Sequence, residues 1–362
     1  MTEFTRRCLI QGGPAATLGA LAGLETALSR TPLVAASGGQ SARSSRPARS
    51  KRDLVMAVLN MEARPGYIPA GFFMHFGVRG DAAIKAHLDH FRGTGMDFVK
   101  IQFDEQTLSQ PPANPIKTPR DWSNFPVYTE KWWEPSLYLL KGLIREAKSE
   151  GLIIQTLFSP YQMAKQAVPW KTLVEHAKQD PDAVSRGMEN IALSLLHFAQ
   201  AAARAGADGF YMCTQGGETN RFAERDVFAR AVKNYDMFLY KEAMQLTPCN
   251  IMHICDYDGS YEDFNARFRD YPGQVINVPL SADGKAFSLR QAADLFKRPV
   301  MGGLNRLGTV SKGTVDDVRQ ATIEALKDAP TNVILGADCT VPANTPRENL
   351  RMAIQTAHEF RS

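Results

Sequence analysis

The chain has 362 residues, 44% hydrophobic and 22% charged, with 27 Gly, 21 Pro and five Cys; this composition excludes collagen-like, low-complexity and wholly disordered classes. The net charge of +4 is uneven: residues 1–52 hold eight Lys/Arg against two Glu, so the remainder sums to −2 and offers no basic surface for nucleic acid. Five scattered cysteines make no disulfide framework at this length, and no uncharged apolar run reaches the roughly 18–20 residues of a membrane span.

Residues 1–36 read as an export signal. Thr5-Arg6-Arg7-Cys8-Leu9-Ile10 supplies a basic start, a weakly apolar Gly/Ala-rich stretch runs to Leu24, and Val34-Ala35-Ala36 is a small-residue exit. The paired arginines resemble the twin-arginine (Tat) type. That type implies the Tat export machinery as a partner and a periplasmic location; the cytoplasm is the alternative if the arginines are incidental. Residues 37–52 are polar, basic and without large apolar side chains, so they read as a disordered linker. The folded body is expected over 53–362.

Within it, short β-rich runs alternate with helical patterns. Strands are predicted at 71–76, 96–103, 152–158, 209–213, 250–255, 274–278, 299–301 and 332–335; most are continuous apolar runs, as in parallel strands covered on both faces. Helices are predicted at 81–92, 135–150, 181–205, 224–245, 261–269, 289–296, 314–327 and 346–360. Ser288 and Thr314 stand as N-caps, Pro346 at a first helical position, and Gly95 and Gly206 at helix ends. No Gly-x-Gly-x-x-Gly or Walker-type loop is present. The pattern fits an α/β fold, a single (β/α)8 TIM barrel, better than an open nucleotide-binding sheet.

Function in such a barrel collects where strands end. Those ends carry His75, then Gln102 and Asp104, then Cys213 to Glu218, then His253 to Asp256, then Asn277, Asn305 and Asp338-Cys339. His75 and Asp104 are candidates for catalytic proton transfer or substrate binding. Gln215, Gly216, Asn277 and Asn305 are candidates for binding a cofactor, although a tight turn explains the glycine equally well. Asp256 is placed to orient a neighbouring imidazole, and Trp122, Tyr128, Trp132 and Trp133 form either a lid or a hydrophobic satellite.

His253-x-Cys255 puts both side chains on one face of a strand, because side chains alternate with period two. With Cys339 at the end of the last strand, an imidazole and two thiolates make a three-ligand zinc site with one position open. A buried Cys is more commonly a small apolar residue, so the spacing alone leaves that reading standing beside the metal site.

Two segments, Asn250-Ile-Met-His-Ile-Cys-Asp256 and Leu335-Gly-Ala-Asp-Cys-Thr-Val-Pro-Ala-Asn-Thr-Pro-Arg-Glu-Asn349, resemble the strand-five and strand-eight signatures of the uroporphyrinogen decarboxylase family. They are most similar to its zinc-dependent branch, the methylcobamide:coenzyme M methyltransferases. Met96-Asp-Phe-Val-Lys-Ile101, Gly209-Phe-Tyr-Met-Cys-Thr-Gln-Gly-Gly217 and Val300-Met-Gly-Gly-Leu-Asn305 are similar too. The resemblance implies the (β/α)8 barrel, zinc on His253, Cys255 and Cys339, and a substrate thiol that takes a methyl group from a corrinoid. The decarboxylases proper carry an Arg-rich N-terminal stretch that grips tetrapyrrole carboxylates, whereas this chain reads Pro69-Ala-Gly-Phe-Phe-Met-His75 there. The leading expectation is therefore zinc-dependent methyl transfer to a small-molecule thiol. The alternatives are metal-independent decarboxylation of a carboxylated cyclic, tetrapyrrole-like substrate, and non-catalytic capture of a corrinoid or tetrapyrrole.

Overall fold

The computed structural model describes residues 49–62, 67–102, 115–255 and 260–361. Helix α1, Lys51–Leu59, starts at Ser50, whose side chain accepts from the Asp53 amide while Asp53 reaches back to the Ser50 amide. Such a reciprocal cap satisfies two amides that a helix start leaves open. The last two residues of the expected linker, Lys51 and Arg52, are instead the first helical turn; the signal reading over 1–36 and the linker residues 37–48 lie outside the described residues. The Lys51 ammonium donates to the Gly95 and Met96 carbonyls, and Arg52 pairs with the buried Asp208 at 2.7 Å. Leu54, Val55 and Val58 of α1 are buried, each contributing about 1.5–3 kcal/mol against exposure.

Seven parallel strands follow in chain order: β1 Phe98–Ile101, β2 Leu152–Phe158, β3 Gly209–Thr214, β4 Cys249–Ile254, β5 Val275–Asn277, β6 Val300–Leu304 and β7 Val333–Ala337. Each pairs with the next. The predicted strand at 71–76 forms no ladder. Residues 69–71 instead bridge the two edges of the sheet: the Leu335 amide donates to Pro69, the Gly71 amide to Leu335, and the Asp97 amide to Ala70. Pro69 has no N–H to extend the pairing. Further on, Phe76 packs edge-on against His87 and His90 instead of staying in the sheet. The curled sheet, closed by this bridge, is the expected α/β barrel.

The connections are helical: α2 Gly80–Thr94, α3 Glu134–Ala147, α4 Pro160–Ala167, α5 Trp170–Gln179, α6 Pro181–Ala205, α7 Arg225–Phe228 running through a π turn into α8 Asn234–Leu246, α9 Phe264–Phe268, α10 Leu289–Phe296, α11 Thr309–Lys312, α12 Val315–Lys327 and α13 Arg347–Glu359. The Ser288 and Thr314 caps form as read. Gly209 opens β3 because nothing larger fits; a Cβ there would lie 1.5 Å from the Cys249 carbonyl oxygen. The aromatic cluster is a packed satellite. Trp122 and Trp133 are fully buried, their indole N–H groups donating to His176 and to the Ser194 carbonyl on α5 and α6. No helix among the described residues is long and apolar enough to cross a membrane.

Candidate metal centre at the mouth of the barrel

Parallel register fixes which side chains share the barrel interior. Cys213 lies beside His253, and His253 beside Asn277; the alternation then adds Tyr211 on β3, Gln215 just after it and Cys255 just after β4. His253, Cys255 and Cys339 are all buried, and their ligand atoms lie within 4.8 Å of one another. The two sulfurs are 3.7 Å apart. That is too long for a disulfide and close to the about 3.8 Å between two sulfurs on one tetrahedral zinc with bonds near 2.3 Å. His253 Nδ1 is buried without a hydrogen-bond partner among the described residues, as expected of a nitrogen waiting for a ligand. The donor set therefore fits zinc.

His253 and Cys255 are held by their surroundings. The His253 ring stacks on Tyr211 at 5.2 Å between centroids. The Tyr211 hydroxyl donates to Asn277 Oδ1 at 2.7 Å, and Asn277 Nδ2 donates to the Met301 and Ala337 carbonyls. The Cys255 amide donates to the Thr214 carbonyl, and Gln215 Nε2 donates to Cys255 Sγ at 3.3 Å. The Cys255 and Cys339 sulfurs are in hydrogen-bond contact. That contact, with burial, pushes the Cys255 thiol well above the usual range, and the same contact lowers Cys339. Cys213, next to them, donates to the Tyr211 carbonyl, and burial pushes it up to about 12, so it behaves as an inert core thiol.

The remaining candidates divide. Gln215 touches the centre directly. Gly216 has φ +94°, and a Cβ would lie 2.8 Å from the Tyr161 ring; its amide donates to Glu218, so it forms the turn that aims Gln215. Asn277 spends its side chain tying β3, β5, β6 and β7 together. Asn305 is exposed and accepts from the Leu307 amide in a turn. His75 is exposed on the segment after Phe73. Asp104 and Asp256 lie outside the described residues. Sequence reading passed over Lys100 and Tyr211: the Lys100 ammonium sits inside the barrel over the Tyr211 ring at 4.9 Å and donates to Gln102. The available signal was a lysine in the middle of an otherwise apolar strand, Phe98-Val-Lys-Ile101.

A parallel α/β barrel with a buried His/Cys/Cys group at its C-terminal end defines the class: a TIM-type barrel whose candidate site sits at the face where such barrels carry their active sites. The match to the family model for uroporphyrinogen decarboxylase (URO-D) spans residues 90–360. The chain belongs to that family. Among solved structures it is similar to a methyltransferase from Methanosarcina mazei, at 17% identity and TM-score 0.69, covering 86% of this chain and 99% of that one. A B12-independent methionine synthase from Shewanella sp. W3-18-1 in complex with selenomethionine aligns at 15% identity and TM-score 0.45, over 82% and 94% of the two chains. No curated protein matches in sequence.

Proposed function

We propose that the protein is an enzyme that transfers a methyl group from a corrinoid to a small-molecule thiol at a zinc centre held by His253, Cys255 and Cys339. The buried N,S,S donor set, with its sulfurs at the tetrahedral spacing, carries this reading. Likeness of fold to a protein described as a methyltransferase supports it. Zinc, when bound, supplies a Lewis acid that lowers the pKa of a thiol taking its open position and so makes a nucleophile near neutral pH. The chain's residues set the geometry. Tyr211, anchored through Asn277, keeps the His253 ring from turning, and Gln215 holds Cys255 by a hydrogen bond to sulfur. Burial of all three ligands keeps bulk water off the nucleophile. Residues 1–36 complete the proposal as a Tat signal for export of the folded protein.

The test supplies methylcobalamin and a panel of small thiols to the purified full chain and measures methyl thioether by mass spectrometry. Thioether is expected from the zinc-loaded protein, with Cys255→Ala and Cys339→Ala at least about 100-fold slower. Equal product from chelator-treated protein, or from either variant, overturns the reading.

A further inference from the structure

We infer that Gln102 and Gln215 form a recognition site for an uncharged polar group on the substrate, so that the thiol accepted here carries a carboxamide or a hydroxyl and no charge. The inference deepens the proposed thiol chemistry and rests on it. On β1, Lys100 and the residue two further on, Gln102, face the barrel interior. Lys100 lies over the same Tyr211 ring that stacks on His253, which puts Gln102 one layer nearer the mouth of the barrel, the end that carries the His/Cys/Cys group.

The orientation of both amides is fixed. An ammonium only donates, so the bond from Lys100 requires Gln102 to present its carbonyl oxygen. The Gln102 backbone N–H is already taken, donating to His87 Nε2 at 3.1 Å. Gln102 Nε2 is left buried with no acceptor among the described residues. At Gln215 the amide nitrogen donates to Cys255 Sγ, and Oε1 is left buried with no donor among the described residues. Both side chains are more than nine-tenths buried, at 3% and 7% exposure. Unmade hydrogen bonds in such places are costly, and a ligand that completes them removes the cost.

What completes them is constrained. Gln102 offers N–H and needs an acceptor; Gln215 offers a carbonyl oxygen and needs a donor. A carboxylate or sulfonate accepts from Gln102 and is drawn to the Lys100 charge, but it has no hydrogen for Gln215 and would set a full negative charge against that buried oxygen. An ammonium has nothing for Gln102 and would face the Lys100 charge. A carboxamide or hydroxyl supplies both partners.

Calorimetric titration of the zinc-loaded full chain tests this with thiols of similar size: 2-mercaptoacetamide, 2-mercaptoethanol, propanethiol, mercaptoacetate and cysteamine. The two uncharged polar thiols are expected to bind about 10-fold more tightly than the other three. Gln102→Met is expected to remove that preference. Gln102→Glu, which keeps a partner for Lys100 but has no N–H to give, is expected to remove it too, with zinc content unchanged. Tighter binding of mercaptoacetate, cysteamine or propanethiol, or a preference that survives in both variants, overturns the inference. Zinc is measured on the same sample. Metal-free protein would sink the parent reading alone, and recognition is then read by saturation-transfer NMR with propanamide against propionate. Selective contact with propanamide supports the site, and none overturns it.

Discussion

Replacing Asp236 with asparagine is expected to remove a large pH dependence from the stability of the barrel. Asp236 lies on α8, fully buried behind β3, and its Oδ2 accepts from the Thr214 hydroxyl at 2.5 Å and from the Tyr271 hydroxyl at 3.0 Å. No cation faces it in these contacts, and burial pushes its carboxyl from 3.8 up to about 8. In the unfolded chain the group ionises near 4; folded, it keeps its proton until about pH 8. Between those values the folded state binds one more proton, so its stability is greatest in acid and falls as pH rises, by about 1.4 kcal/mol per unit. From pH 5 to pH 8 the loss due to this group is about 4 kcal/mol. The amide of the Asp236→Asn variant carries no charge at either pH. Urea unfolding of both proteins at pH 5, 6, 7 and 8 isolates the term, because groups that titrate alike in the two proteins cancel. The stability of Asp236→Asn relative to wild type is expected to climb by about 4 kcal/mol over that range. Parallel curves, within about 1 kcal/mol, would refute the assignment of a buried neutral acid behind the strand whose end carries Gln215.

Three further outcomes follow from other contacts. Gly209→Ala must separate β3 from β4, because its Cβ would meet the Cys249 carbonyl oxygen at 1.5 Å; urea unfolding is expected to show a loss of about 4 kcal/mol or more, or no folded protein. Removing residues 1–60 strips α1 with its buried Leu54, Val55 and Val58 and leaves Asp208 without Arg52, whereas removing 1–48 spares them. The longer deletion is expected to lower the thermal midpoint by about 10 °C or more, the effect of losing several kcal/mol from a barrel of this size, and the shorter one to leave it in place. Residues 1–36 fused to a reporter are expected to direct it to the periplasm of a Tat-competent bacterium, and Arg6→Lys with Arg7→Lys to stop it; export indifferent to both changes would remove the Tat reading.

The convergence of His253, Cys255 and Cys339 was legible because strand periodicity is simple. An imidazole and a thiol two residues apart in an apolar run must share a face, and a closed barrel then brings the last strand's Cys339 to the same end. Strands that are apolar on both faces, such as 152–158 and 209–213, announced themselves for the same reason. The basic start of α1 misled because composition weighs Lys51 and Arg52 as solvated, while the acceptors that hold them, Asp208 and the carbonyls of Gly95 and Met96, are far off in sequence. The capping pair Ser50 and Asp53 was the local clue. The stretch 71–76 misled in the other direction: its apolar residues belong to the core, but only 69–71 join the two edges of the sheet. Gln102 and Gln215 were named at strand ends, but Lys100, Tyr211 and the orientation of the two amides were hidden because their roles are set by one another across three strands.

X-ray absorption at the zinc edge of the purified full chain addresses the central claim most directly. One zinc per chain is expected, with two sulfurs near about 2.3 Å and one imidazole nitrogen near about 2.0 Å. A third sulfur is expected to enter on adding 2-mercaptoacetamide. A shell of oxygen and nitrogen alone, a sulfur count unmoved by the thiol, or protein that takes up no zinc while keeping its fold would contradict the account.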